Sequence, residues 1–194
     1  MNDFLEHVSS PNPAFHCYRA GEQPETLQYT ASVQNEIHPP ASDADLQDLM
    51  NMLGEGCGQL KAFYCIHNGC RLYCHNGSSS IELFRIEEWE AKNQEWISWI
   101  RWIDDPAARE IQKFGIAFGE VCMSGNFFVW CKGKVYYSDA ETGQFTQLAN
   151  DFNGFLSLFA KDPAKLLSQL GCYTRFTDGE TNNQWIPKVY LGDA

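Results

Sequence analysis

Beyond Pro40, Leu46, Leu49, Met50 and Leu53 recur at i, i+3, i+4 and i+7. That spacing predicts a helix with one apolar face. Ser42 stands where an N-cap belongs, and Asp45 three residues later completes a capping box, although Asp reaches back less far than Glu. Gly54 is the expected stop. After the connection GEGCG the period returns at Leu60, Phe63, Tyr64 and His67. Asn68-Gly69 then closes a second helix, since both residues tolerate the left-handed conformation of a helix end. Two short helices joined by a tight turn follow.

Strand patterns come next. Leu72 and Tyr73 lie in a short run closed by Asn76-Gly77, a hairpin dipeptide, and Ile81, Leu83 and Phe84 form another. A third helix is expected from Ile86 to about Ile100, with Ile86, Trp89, Trp96, Ile97 and Ile100 on its buried side. The segments FGIAFGE, NFFVWCKGKVYYSD and GQFTQLA are rich in aromatic and β-branched residues and punctuated by glycine, as in an antiparallel meander. Lys132-Gly133-Lys134 and Glu141-Thr142-Gly143 read as its turns. A last helix opens near Asn150 or Asp151 and buries Phe152, Phe155, Leu156 and Phe159. Asp162-Pro163 restarts helix, with Leu166, Leu167 and Leu170 on its apolar side, until Gly171. The fold class is therefore α+β, a central antiparallel sheet flanked by helices. Residues 42–171 form the domain. Residues 1–41, with a strand expected around Val33 and Ile37, are an N-terminal extension packed on it, and 172–194 are a tail with a short strand at Lys188 to Leu191.

Composition narrows the function. Of 194 residues 44% are hydrophobic and 14% aromatic, enough to build a core and unlike a disordered chain. Fourteen Lys and Arg against 25 Asp and Glu leave a formal charge of −11. Such a surface repels phosphate backbones and anionic lipids, so neither nucleic acid nor a membrane is the expected partner. It favours a basic protein, although acidity also serves plain solubility. The start, MNDFLEHVSSPNP, carries neither a basic region nor an apolar stretch of secretory length, so no signal peptide is expected. The eight cysteines are then free thiols in a reducing compartment, and the expected location is the cytosol.

The candidate chemistry is sparse. Cys65, Cys70, Cys74 and His75, with His67 nearby, carry ligand types suited to zinc, but their spacing matches no zinc ribbon or finger. Buried free thiols account for them, and neither metal nor cofactor is expected. A cysteine nucleophile would need His67 or His75 as a base, brought close by the fold. The nucleophile-elbow, P-loop and H-E-x-x-H motifs are missing, and Gly115 and Gly119 do not match a dinucleotide fingerprint. The adjacent acids Glu87-Glu88 and Asp104-Asp105 read as solvated surface. No set of catalytic roles assembles, so the chain is read as a non-enzyme, with a small cysteine-dependent hydrolase as the alternative from another class.

Two stretches resemble the SUKH superfamily, which includes the Smi/Knr-like domains. DLQDLMNMLGEGCGQLKAFYCIHNG, residues 45–69, is similar to the family's paired opening helices and their "fY..hNG" close. FGIAFGEVCMSGNFFVWCKGKVYYSDAE, residues 114–141, with DFNGFLSLFA at 151–160, resembles its "fGe...G.yfv....GkVyy.d.e" meander and closing helix. Gly58-Gln59-Leu60 stands where the family usually has a Leu-Pro pair, and Ala140 where it often has His. The resemblance implies a binding domain. Many bacterial members are immunity proteins that neutralise toxins, often nucleases, while fungal relatives are regulatory scaffolds. An acidic inhibitor suits a basic toxin, because charge complementarity lifts association to about 10⁸–10⁹ M⁻¹s⁻¹ at low salt.

The partner-binding candidates are Trp99, Arg101, Trp102, Asp104 and Asp105. On a wheel of about 100° per residue, Trp99 falls about 100° from Ile100, and Trp102 lies roughly opposite the buried stripe if the helix continues that far. An exposed Trp beside Arg101 and the acids would suit an interface anchor. If the helix ends near Trp99, Trp102 is free to pack inward instead.

Overall fold

The structure is a computed structural model that describes residues 1–9, 15–19, 28–54, 57–106, 108–122, 124–161, 176–177 and 184–187. In chain order these hold α1 (Asn2–Ser9), β1 (Phe15–Arg19), β2 (Gln28–Ala31), β3 (Gln34–Ile37), α2 (Asp43–Leu53), α3 (Gly58–Tyr64), β4 (Cys70–Cys74), β5 (Ile81–Leu83), a 3₁₀ turn (Ile86–Glu88), α4 (Trp89–Ile100), α5 (Arg109–Phe114), β6 (Ile116–Val121), β7 (Asn126–Cys131), β8 (Lys134–Ser138), β9 (Phe145–Ala149), α6 (Phe152–Lys161), β10 (Phe176–Thr177) and β11 (Gln184–Pro187). Seven strands, β3 to β9, pair antiparallel in strict sequence order. The expected meander is its latter part, β6 to β9, and the sheet continues in the same antiparallel order through β5 and β4 to β3. A second sheet of four strands runs β10-β11-β1-β2.

Local chemistry sets the helix ends. Ser42 and Asp45 form the full capping box at α2, each side chain accepting from the other residue's amide. Leu46 and Leu49 are buried, whereas Met50 turns outward. Asp151 Oδ1 accepts from the amide of Gly154 at 2.7 Å in the first turn of α6. Phe152, Phe155, Leu156 and Phe159 are all fully buried, as their spacing requires.

The Asn68-Gly69 close does more than end a helix. Gly69 alone of the pair is left-handed, at φ +81°, and a Cβ there would lie 2.3 Å from the Leu83 carbonyl oxygen, so only glycine fits. Asn68 is needed for its side chain. Its Oδ1 accepts from Ile86 N at 2.9 Å and its Nδ2 donates to Glu87 at 2.8 Å. Tyr64 adds a bond from its hydroxyl to the Phe84 carbonyl at 2.8 Å. The end of α3 is thereby latched onto the segment that leads from β5 into α4.

The sheet is covered on both faces. Phe155 of α6 packs on Phe118 and Phe128, with ring centroids 5.3 and 5.0 Å apart. On the opposite face, Trp96 of α4 donates to Ser138 at 3.0 Å. Asn93 bonds the backbone of Ala117 through both its amide atoms, at the irregularity in β6. The N-terminal segment joins the core: Phe4 of α1 is buried between Phe63 and Phe159, and β3 forms an edge of the main sheet.

Three expectations need correction. Ile97, assigned to the buried side of α4, is 41% exposed, because the stripe runs through Trp89, Trp96 and Ile100. Phe114 and Gly115, read as strand, end the short helix α5, and the strand begins at Ile116. α4 is preceded by a 3₁₀ turn rather than starting at Ile86. The helix expected from Pro163 to Leu170 and the strand from Lys188 to Leu191 lie outside the described residues.

Candidate partner-binding site

α4 ends at Ile100, and the chain turns at once: Ile103 N donates to the Ile100 carbonyl at 3.0 Å. The Gln112 side-chain amide of α5 then donates to the carbonyls of Ile100 and Ile103, at 3.2 and 3.0 Å. These bonds give the Ile100 carbonyl at the helix end a second donor, engage the Ile103 carbonyl and fix the turn. Trp102 does not pack inward from it. Its residue is 60% exposed, and Trp99, three positions earlier, is 49% exposed.

Both indoles rest against turns at the neighbouring end of the sheet. Trp99 lies over Gly125 in the β6–β7 turn, and Trp102 over Gly143 in the β8–β9 turn. Those turns are ordered by side chains. Asp139 Oδ1 accepts from the amides of Glu141 and Thr142, at 2.9 and 3.1 Å, and Asn126 Oδ1 accepts from Ala140 N at 2.9 Å. Between the α4–α5 turn and the start of β9 lies an open cavity of about 430 Å³, lined by Trp102, Asp104, Asp105, Thr142, Gln144 and Phe145. The structure thus brings Trp102, Asp104 and Asp105 to one cavity, with Trp99 on the adjoining turn and Arg101 exposed beside them. Asp104 pairs with Arg109 at 3.0 Å, both side chains being largely in solvent, where such a pair adds little stability. Thr142, Gln144 and Phe145 also line this cavity, and the sequence did not point to them as candidates. They are joined to Trp102 only by the fold.

The cysteine and histidine residues go elsewhere. Cys70 and Cys74 are buried in β4, and burial pushes both thiols up, Cys74 to about 11, away from the thiolate that catalysis or zinc would use. His75 holds the Tyr29 hydroxyl at 2.7 Å and the Ser32 carbonyl at 2.8 Å. Cys65 is exposed at the end of α3. Among the described residues the grouping with metal-ligand spacing is a different one, Glu82, Glu120 and Cys122. There the Lys92 ammonium lies 3.0 Å from Glu120 and supplies the positive charge, while burial raises the Cys122 thiol to about 12. Among the described residues no helix is long and apolar enough to cross a membrane.

Fold and surface together define a mixed α+β domain whose exposed chemistry is aromatic and acidic. Residues 40–158 match the SMI1 / KNR4 family (SUKH-1). The chain belongs to that family, which is known for immunity-protein roles and whose domains are generally non-enzymatic binding modules. No curated protein matches the chain.

Proposed function

We propose that this chain is a non-enzymatic immunity protein that binds and neutralises a basic toxin, and that it does so in the cytosol. The surface of Trp99, Arg101, Trp102, Asp104 and Asp105 is the contact. The observation that carries the reading is the pair of half-exposed indoles held on fixed turns beside two carboxylates. Trp is enriched among residues that dominate binding energy, and a rigid side chain loses little entropy on docking. Acids around the indoles would steer a basic partner and discriminate against an acidic one. A regulatory scaffold of the Smi/Knr type would use the same kind of surface for a housekeeping partner. A toxin encoded beside this chain would separate the two readings.

The test starts from the protein retained by the tagged chain in its native host. Affinity is then measured by titration calorimetry with the purified partner. Trp102→Ala is expected to weaken binding by more than about 1 kcal/mol, at least about fivefold, with the melting temperature unchanged. Co-expressed chain should also relieve the partner's toxicity. An unaltered affinity, or a partner without toxicity, would overturn the respective part of the reading.

A further inference from the structure

The cavity beside Trp102 has a lining of consistent chemistry. Asp104, Asp105, Thr142 and Gln144 can each accept a hydrogen bond through their side chains. Ile103 and Phe145, both partly buried against the core, add apolar surface, and the 60% exposed Trp102 adds an aromatic ring. Among the described residues no cation lines the cavity. Arg109 reaches Asp104 at 3.0 Å without being part of the lining, and the two side chains of that pair are 66% and 88% exposed. The turn that carries Thr142 contributes Asp139 and Glu141. Even with Arg101 and Arg109 both counted, acids here outnumber bases, Asp104, Asp105, Asp139 and Glu141 against two.

We infer that this cavity receives the guanidinium of an arginine on the bound partner, stacked on the Trp102 indole, its N–H groups turned to Asp104 and Asp105 and its methylenes against Ile103 and Phe145. The inference rests on the contact surface proposed above and adds the side chain that fills it. A guanidinium is planar, stacks on aromatic faces and presents a fork of donors that matches a carboxylate. Its apolar stem suits the apolar part of the lining. An ammonium would answer the charge, but it neither covers the ring nor grips a carboxylate bidentately. An apolar anchor would strip water from two carboxylates and replace none of its hydrogen bonds, and an acidic one would be repelled. The Asp104–Arg109 pair is a small obstacle, because a pair so exposed contributes little and can open.

The probe is the capped tripeptide Gly-Arg-Gly, titrated into the full chain while NMR follows the indole N–H resonances, with Trp102→Phe assigning the signal of Trp102. That resonance should move and saturate with a Kd of about 1–10 mM. The tripeptide with citrulline, a neutral isostere of arginine, should bind at least about tenfold more weakly, and so should Gly-Arg-Gly to Asp104→Asn/Asp105→Asn. Gly-Lys-Gly should bind at least about threefold more weakly. Glu90→Gln, which removes an exposed acid at the opposite end of α4, should change nothing. The substituted acids are all exposed, and equal melting temperatures would show that the fold is kept. A Trp102 resonance unmoved at about 50 mM tripeptide, or equal binding by the citrulline or lysine peptide or to the double variant, would overturn the inference. The two readings fail separately. If the tripeptide does not bind while Trp102→Ala still weakens the captured partner, the surface stands and the arginine falls. If the tripeptide binds but Trp102→Ala leaves the partner's affinity unaltered, the cavity keeps its preference and the contact surface falls.

Discussion

Asn68→Ala tests the latch at the end of α3. In the native fold the side chain accepts from Ile86 N at 2.9 Å and donates to Glu87 at 2.8 Å, and both Asn68 and Ile86 are buried. Truncation leaves the Ile86 amide without its acceptor, at the first position of a 3₁₀ turn that offers it no internal partner. An orphaned buried donor costs about 1–3 kcal/mol. The bond to Glu87 involves a charged acceptor, but the Glu87 side chain is 46% exposed, so water recovers much of it and about 0.5 kcal/mol is a fair share. The expected loss is about 1.5–3.5 kcal/mol, or roughly 3–14 °C in melting temperature for a chain of this size.

The assay is urea unfolding followed by tryptophan fluorescence, with the slope compared between variants so that a shifted midpoint reports stability alone. Glu87→Ala is the internal control. It removes only the exposed partner, leaves the Ile86 bond intact, and should cost less than about 1 kcal/mol. If Asn68→Ala costs less than about 0.5 kcal/mol, or no more than Glu87→Ala, the orphaned-donor reasoning is wrong.

Three further outcomes follow from other parts of the fold. Gly143 has φ +70°, and a Cβ there would lie 2.9 Å from the Trp102 ring and 3.1 Å from Ile103. Gly143→Ala should therefore cost about 1–2 kcal/mol in a urea melt and shift the indole N–H resonance of Trp102; an unmoved resonance would mean that the ring does not rest on this turn. Burial first, and the charge of Glu88 second, raise the Glu82 carboxyl above its usual range, so its charged form opposes folding. Stability at this site is then greatest when the carboxyl is protonated and falls as pH rises from the unfolded to the folded pKa. Glu82→Gln should stabilise the protein at pH 7, with an advantage that fades as pH falls through the carboxylate range; an advantage independent of pH would refute the assignment. Phe155, whose ring meets Phe118, Phe128 and Phe159, should cost about 3–5 kcal/mol as Phe155→Ala, measured by the same melt, and a loss below about 1 kcal/mol would mean the core collapses into the space.

Features written in neighbouring residues were legible in the sequence, and features written in distant pairs were not. The Ser42–Asp45 box, the Lys132-Gly133 turn and the Phe152–Phe159 stripe each span fewer than ten residues, and the fold kept them. β1 gave no signal of its own because its pairing is remote: Cys17 lies opposite Pro187. α5 was missed because it has one buried apolar side chain, Ile111, and its anchorage is the reach of Gln112 back to Ile100 and Ile103. The same bonds decide the candidate site. A helical wheel could not say whether Trp102 lay on a helix or folded inward, because neither happens: Gln112 arrests the chain just past Ile100 and leaves the indole leaning on Gly143 with its other side open. An aromatic ring exposed by a hydrogen-bonded turn, rather than by a helix face, keeps its position when no partner is present. On the proposed reading, that preorganisation is what would suit this end of the sheet to binding, since the entropy of fixing the ring has already been lost on folding.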